Sequence, residues 1–228
     1  MGGIAMLHAL FPVRCVLCGA LIEHCEGFLR LCPDCLRELP RIVGDRETTL
    51  ASGLVCVTAA RYTDLRGAVL ALKFRGRREY APTLALLMLL ALRRHPQDAD
   101  AVTWVPVHFL RRLTRGYDQG ELLARTVAQE LGLPLVSTLT KHRYNRRQSG
   151  IDDDTSRVRN VHGVYTVRRG IPGKLPGDNP YRKKSSYGVR VLLVDDVITS
   201  GATLSEAAQT LNAAGIGTVG LCLARARD

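Results

Sequence analysis

The sequence predicts an α/β domain with a mostly parallel sheet, preceded by a small cysteine-rich module. From about residue 53 onward, short runs rich in β-branched residues alternate with stretches of helical period. Residues 189–228 form one sharp strand-helix-strand unit. Five of the seven cysteines crowd into residues 15–35, a segment with almost no alternating hydrophobic pattern.

The cysteine segment sets the first unit, expected to cover residues 1–45, with 46–228 as the second. Cys15-x2-Cys18 and Cys32-x2-Cys35 are separated by thirteen residues. Each pair is a tight knuckle able to aim two thiolates at one ion, and two knuckles complete a tetrahedral site. A segment this poor in core residues needs a staple, and structural Zn²⁺ supplies one. His24 and Cys25 are alternative ligands whose spacing fits worse. Cys56 and Cys222 lie in apolar, strand-like runs and read as core.

In the second unit, strands are expected at 55–60, 102–107, 164–167, 191–194 and 219–224, from their β-branched content and flanking Gly, Pro or Asp. Helices are expected at 118–131, where Leu123, Val127 and Leu131 recur at i+4, and at 203–214, with Leu204, Ala208 and Leu211. Gly132 and Gly215 follow the two helix ends as C-cap glycines do. Residues 171–188, rich in Pro, Gly, Lys and Ser, read as a mobile surface loop.

Thirty-two basic residues against 21 acidic ones give a net charge of +11. Such a balance favours polyanionic partners, either nucleic acid or a multiply phosphorylated small molecule. The longest apolar run, 84–92, falls far short of the roughly 20 residues a membrane helix needs. The first dozen residues lack a basic start and a small-residue cleavage site. A cytoplasmic protein without membrane insertion is expected.

The segment most specific in chemistry runs from Val191 to Thr203. Four apolar residues, Val191 to Val194, make a strand buried on both faces, and Asp195 and Asp196 follow at its C-terminal end. The turn Thr199-Ser200-Gly201-Ala202-Thr203 is small or hydroxylated throughout and opens into the next helix. A turn of this kind offers N–H groups and hydroxyls to a phosphate at a positive helix terminus. The carboxylates would repel a bare phosphate, so ribose hydroxyls or a Mg²⁺ shared with pyrophosphate are their natural partners.

This segment resembles the PRPP-binding motif of type I phosphoribosyltransferases, a Rossmann-like fold. The resemblance implies that Asp195 and Asp196, the catalytic candidates, bind the ribose hydroxyls. It likewise implies that Val197, Thr199, Ser200, Gly201, Ala202 and Thr203 complete the PRPP site around the 5′-phosphate. Other blocks narrow the family: Lys73-Phe74-Arg75-Gly76, Val105-Pro106-Val107, Arg115-Gly116-Tyr117-Asp118-Gln119, then Gln148, Arg157 and Asn160. With the cysteine pairs, their order resembles the ComF family of competence and DNA-utilisation proteins (ComFC and GntX-like). Asp118 stands where Asn is commoner in that family. The loop after Val107 is a candidate pyrophosphate site, with Arg111, Arg112 or Arg115 supplying charge-assisted bonds. The basic stretch 141–160, holding Gln148 and Arg157, reads as a flap that orders over a polyphosphate.

Two functions are compatible with these features. One is a PRPP-dependent transferase with Mg²⁺, its acceptor unspecified, in DNA uptake during natural transformation. The other is a PRPP-responsive factor without turnover that contacts single-stranded DNA or a DNA-uptake helicase. Aromatic residues make up only 5% of the chain, which counts against a dedicated base-stacking platform.

Overall fold

The structure, a computed structural model, describes residues 13–22, 29–44, 46–142, 163–169 and 188–226. In chain order the elements are α1 (Pro33–Ile42), β1 (Glu47–Thr49), β2 (Val55–Arg61), α2 (Tyr62–Phe74), α3 (Ala81–Arg94), β3 (Ala101–Trp104), α4 (Phe109–Arg115) and α5 (Gln119–Leu131). They continue with β4 (Leu139–Lys141), β5 (Tyr165–Val167), β6 (Arg190–Ile198), α6 (Ala202–Ala213) and β7 (Gly217–Arg225). The main sheet has the order β1-β2-β7-β6-β3. All its pairings are parallel except that of the edge strand β1 with β2.

The period of two along the central strands divides the core into two layers. Val57 and Ala59 of β2, Leu192 and Val194 of β6, and Leu221 and Leu223 of β7 face α2, α3 and α5. Cys56, Val191, Leu193 and Cys222 face the other way, toward Leu204, Ala208 and Leu211 of α6 and toward the β4–β5 ribbon. Strands buried on both faces need continuous apolar runs, which is why β6 and β7 were legible as such. The cysteine segment joins the first layer: Cys15, Val16, Ile22, Leu31, Cys32 and Val43 are buried in it. Bonds among the described residues tie the segment down, including those from Arg94 to the Val43 carbonyl (2.5 Å), from Gly44 N–H to Ala59 O (3.0 Å) and from Arg30 N–H to Thr83 Oγ1 (3.1 Å).

Several bounds change, among them the strand foreseen at 219–224, which runs from Gly217 to Arg225, and the helix foreseen at 118–131, which has Asp118 as its N-cap. The strand foreseen at 102–107 ends at Trp104, because Pro106 has no N–H to donate and the Val107 N–H is turned back onto Asp118. The strand foreseen at 164–167 is found at Tyr165–Val167, but it pairs antiparallel with β4 outside the main sheet. The strand foreseen to stop at Val194 continues to Ile198, its ladder with β7 running on to Ile198↔Arg225. The helix foreseen from residue 203 begins at Ala202. The mobile loop foreseen at 171–188 lies outside the described residues, apart from Gly188.

Close packing of α6 on the sheet depends on Gly220 of β7. A Cβ there would stand 2.9 Å from Cys56 Sγ and 3.0 Å from Leu204 Cδ2. Gly220→Ala is expected to cost about 2 kcal/mol through overpacking, read as a lower urea midpoint with an unchanged slope. An unchanged midpoint would mean that α6 shifts freely on the sheet.

Candidate functional site

The C-terminal ends of β6 and β3 lie side by side, the edge at which open α/β sheets bind ligands. Asp195 and Asp196 stand there within the last turns of the β6 ladder rather than beyond it. As successive strand residues they project to opposite faces. Asp196, buried, meets Lys73 of α2, with Nζ 2.7 Å from Oδ1. Its Oδ2 is buried with no hydrogen-bond partner among the described residues. Asp195, partly buried, accepts the Asp196 N–H at 2.8 Å on the other side. Burial and then the neighbouring Asp196 charge raise the Asp195 pKa to about 7, against the pull of Lys73, the Asp196 N–H and Lys141.

The turn after β6 runs through exposed Thr199 and Ser200 to Gly201, which caps α6 in the left-handed region at φ 78°. A Cβ at Gly201 would lie 3.2 Å from Leu50, so the position needs glycine on two counts. Gly201 has no side chain to bond the first-turn N–H groups, and the Ala202 N–H donates to Ser200 Oγ at 3.4 Å. Ala202 and Thr203 open α6 partly exposed, and Val197, also partly buried, lies between the acids and the turn.

Across the site, the segment after β3 is braced by Asp118. One carboxylate oxygen accepts the N–H groups of Gly120 (2.9 Å) and Glu121 (3.3 Å) as the N-cap of α5. The other accepts the Val107 N–H at 2.9 Å. That amide is therefore committed inside the protein. Both carboxylate oxygens accept in this clamp, which accounts for an acid here.

A pocket of about 640 Å³ opens beside these elements, lined by Lys73, Phe74, Arg111, Arg115, Tyr117 and Gln119 among others. Arg115 is held by Gln119 Oε1 at 3.0 Å and stacks over Phe74, 4.9 Å from the ring centroid. Tyr117 donates to the Leu72 carbonyl and carries Arg78 over its ring at 4.5 Å. The pocket is thus cationic, and Lys73 on its wall joins it to Asp196. Arg111 and Arg115 are brought to it; Gln148 and Arg157 lie outside the described residues. Sequence reasoning gave Lys73 no role of its own, although it opens the Lys73-Phe74-Arg75-Gly76 block; nothing local in that block announces a contact with Asp196.

At the other end of the chain the four cysteine sulfurs lie within 4.8 Å of one another. The first knuckle is a turn closed by Gly19 N–H to Cys15 O (2.9 Å), with Gly19 at φ 77°. The second is the start of α1, where Cys32 is the N-cap and accepts the Cys35 N–H on its sulfur at 3.5 Å. Cys18 Sγ is 3.6 Å from Cys32 Sγ. Bonds of about 2.3 Å from four sulfurs to one zinc imply edges of about 3.8 Å, so the cluster fits a metal ion of that size. Burial opposes the Cys15 thiolate, but the N–H groups of Cys18, Cys32 and Leu17 outweigh it and bring its pKa to about 7. His24 and Cys25, the alternative ligands, lie outside the described residues.

Comparison with known proteins gives a family and several relatives. Residues 118–227 match the phosphoribosyl transferase domain family. Competence protein F of Haemophilus influenzae is 27% identical over 90% of this chain and 81% of its own length. DNA utilization protein YhgH of Shigella flexneri is 30% identical over 74% of this chain and 71% of its own. Among solved structures, orotate phosphoribosyltransferase from Aeropyrum pernix aligns over 84% of this chain and 92% of its own, at 17% identity and a TM-score of 0.37. Among the described residues no helix is long and apolar enough to cross a membrane. With a strand-acid-acid-turn segment inside the matched domain and a four-cysteine cluster ahead of it, this chain belongs to the ComF family and carries a type I phosphoribosyltransferase domain.

Proposed function

We propose that the protein binds PRPP with Mg²⁺ in the cytoplasm and serves DNA uptake as a phosphoribosyltransferase-like protein. The observation that carries the reading is the carboxylate pair of β6, one oxygen of which is buried without a partner among the described residues, followed by the start of α6 and joined through Lys73 to a cationic pocket. Asp195 and Asp196 accept the ribose hydroxyls; Thr199 to Thr203 wrap the 5′-phosphate; Lys73, Arg111 and Arg115 face the pyrophosphate. Hard carboxylate oxygens at the same edge suit Mg²⁺, which would offset pyrophosphate charge when bound. In transfer, an acceptor nucleophile bonds to the anomeric carbon while pyrophosphate leaves with the electron pair of the C–O bond. The protein's part is positioning and charge stabilisation. Zinc on Cys15, Cys18, Cys32 and Cys35 is structural, since four thiolates leave no open position. The two units are residues 1–45 and 46–228.

Calorimetry with PRPP and Mg²⁺ tests the binding, and pyrophosphate release across a panel of bases and amines tests transfer. Absence of PRPP binding at millimolar ligand would sink the reading.

A second reading, binding without turnover coupled to a macromolecular partner, is favoured by the pocket rim. Phe109, Leu110 and Leu113 of α4 are 65%, 46% and 68% exposed beside Arg111, Arg112 and Arg115. Single-stranded DNA or a helicase would dock on such a rim. PRPP binding with no pyrophosphate released for any acceptor, together with salt-sensitive DNA binding, would favour it.

A further inference from the structure

Asp196 has a lysine of its own in Lys73, on the α2 side of the sheet. On the opposite side stands Lys141, the last residue of β4, directly across the ribbon from Tyr165 in the register of β5. Its Nζ donates to the Tyr165 hydroxyl at 3.3 Å and sits 5.2 Å from the centroid of the same ring. Tyr165 is buried. Burial and then Arg111 work against the Lys141 charge, while Asp195 and Asp118 support it. The Tyr165 hydroxyl lies in the field of Asp195, Asp118, Glu206 and Arg111. Those four groups come from the end of β6, the N-cap of α5, from α6 and from α4. The Gly163 N–H, just before β5, donates to Glu206 of α6 at 2.5 Å and fixes the ribbon against that helix. The ribbon thereby packs on the α6 side of the sheet, with Tyr165 in the same layer as Val191, Leu193 and Leu204, the face to which Asp195 projects.

An ammonium group has three donors, and among the described residues Lys141 directs one to a neutral hydroxyl and makes no ion pair. A partly buried cation in that condition has donors left to offer an anion. A structural charge would more economically sit on Asp195 itself, as Lys73 does on Asp196. We propose that Lys141 is a ligand-contacting residue that donates to phosphate oxygens of the bound sugar phosphate, with Tyr165 as its positioning residue. This rests on the PRPP reading above and adds to it a residue from the ribbon side. Two parts of the ligand share this chemistry, the 5′-phosphate and the pyrophosphate.

The test is calorimetry on the full chain with Mg²⁺, using PRPP, ribose 5-phosphate and inorganic pyrophosphate as probes. Lys141→Met and Lys141→Gln should each weaken PRPP about 10–100-fold, with thermal midpoints near wild type, and Lys141→Arg should recover most of the loss. An equal loss for ribose 5-phosphate assigns the contact to the 5′-phosphate; a loss confined to PRPP and pyrophosphate assigns it to the leaving group. Tyr165→Phe should weaken PRPP in the wild-type background and have no further effect on Lys141→Met, a coupling that a purely structural tyrosine would not show. The assignment is overturned if both neutral variants bind all three probes as wild type does while the Asp195→Asn, Asp196→Asn variant fails to bind PRPP. If wild type itself does not bind PRPP, the parent reading falls and takes this one with it.

Discussion

Replacing Asp195 and Asp196 together by Asn is expected to abolish PRPP binding, lowering affinity at least about 100-fold, while the circular dichroism spectrum stays native. Each carboxylate contributes charge-assisted bonds to ribose hydroxyls worth roughly 1.5–3 kcal/mol, and amides of the same shape offer one acceptor oxygen instead of two. The fold survives because β6 is held by its ladders to β3 and β7 and by Val191 to Val194, none of which changes. Lys73 loses its ion partner but is 20% exposed and can turn to water. Calorimetric titration of PRPP with Mg²⁺ reads the loss; unaltered affinity would remove these two residues from the site.

The Asp195→Asn variant alone separates binding from stability through pH. In the wild type the Asp195 carboxyl has a folded pKa of about 7, above the ordinary carboxylate value of 3.8. Between those values the native state holds a proton that the unfolded chain has released. The carboxyl's contribution to stability is therefore greatest at acid pH and is lost as pH rises through 7. Asn removes that dependence, so at pH 8 the unliganded variant should be more stable than wild type by roughly 1–2 kcal/mol, the gain vanishing toward pH 4. Wild-type PRPP affinity should fall below pH 7 as Asp195 takes up its proton. A site that is more stable without its carboxylate than with it is one shaped for a ligand rather than for folding.

What could be seen in the sequence divides along physical lines. The doubly buried strands β6 and β7 and the amphipathic helix α5 announce themselves, because burial on both faces or on one stripe writes itself into consecutive residues. The same holds for the Thr199–Thr203 turn and the two cysteine knuckles, whose chemistry is local. Helices α2 and α3, buried over wide faces, have weaker periodicity and were foreseen only as helical stretches somewhere after residue 53. Contacts between distant segments leave no local trace. Lys73 and Asp196 are 123 positions apart, Lys141 and Tyr165 stand at either end of a basic stretch, and Asp118 closes on Val107 only after α4 has looped away. The resemblance to the ComF family marked several of these residues, yet the role of each became definite only with the geometry.

Metal removal is the second large effect. The purified protein is expected to carry about one zinc per chain, and stripping it with a chelator, or replacing Cys32 by Ser, should lower the thermal midpoint by more than about 10 °C. Cys32 holds two positions at once, as a sulfur of the cluster and as the N-cap of α1. Val16, Ile22, Leu31 and Val43 of the same segment are buried against α2, α3 and β2 in one continuous layer. Without the metal, four thiols within 4.8 Å lose their common centre, and among the described residues the segment's own strand pairing is a single bridge, Arg14 with Leu21. Zinc binding to sites of this kind contributes about 10–16 kcal/mol, comparable to the whole stability of a domain. Since the layer is shared, melting should remain a single transition that shifts as a whole, with the lysine of α2 loosened along with it. Elemental analysis and scanning calorimetry read both halves of the expectation. A metal-free preparation with an unchanged midpoint would show that the cysteine segment is held by its apolar contacts alone.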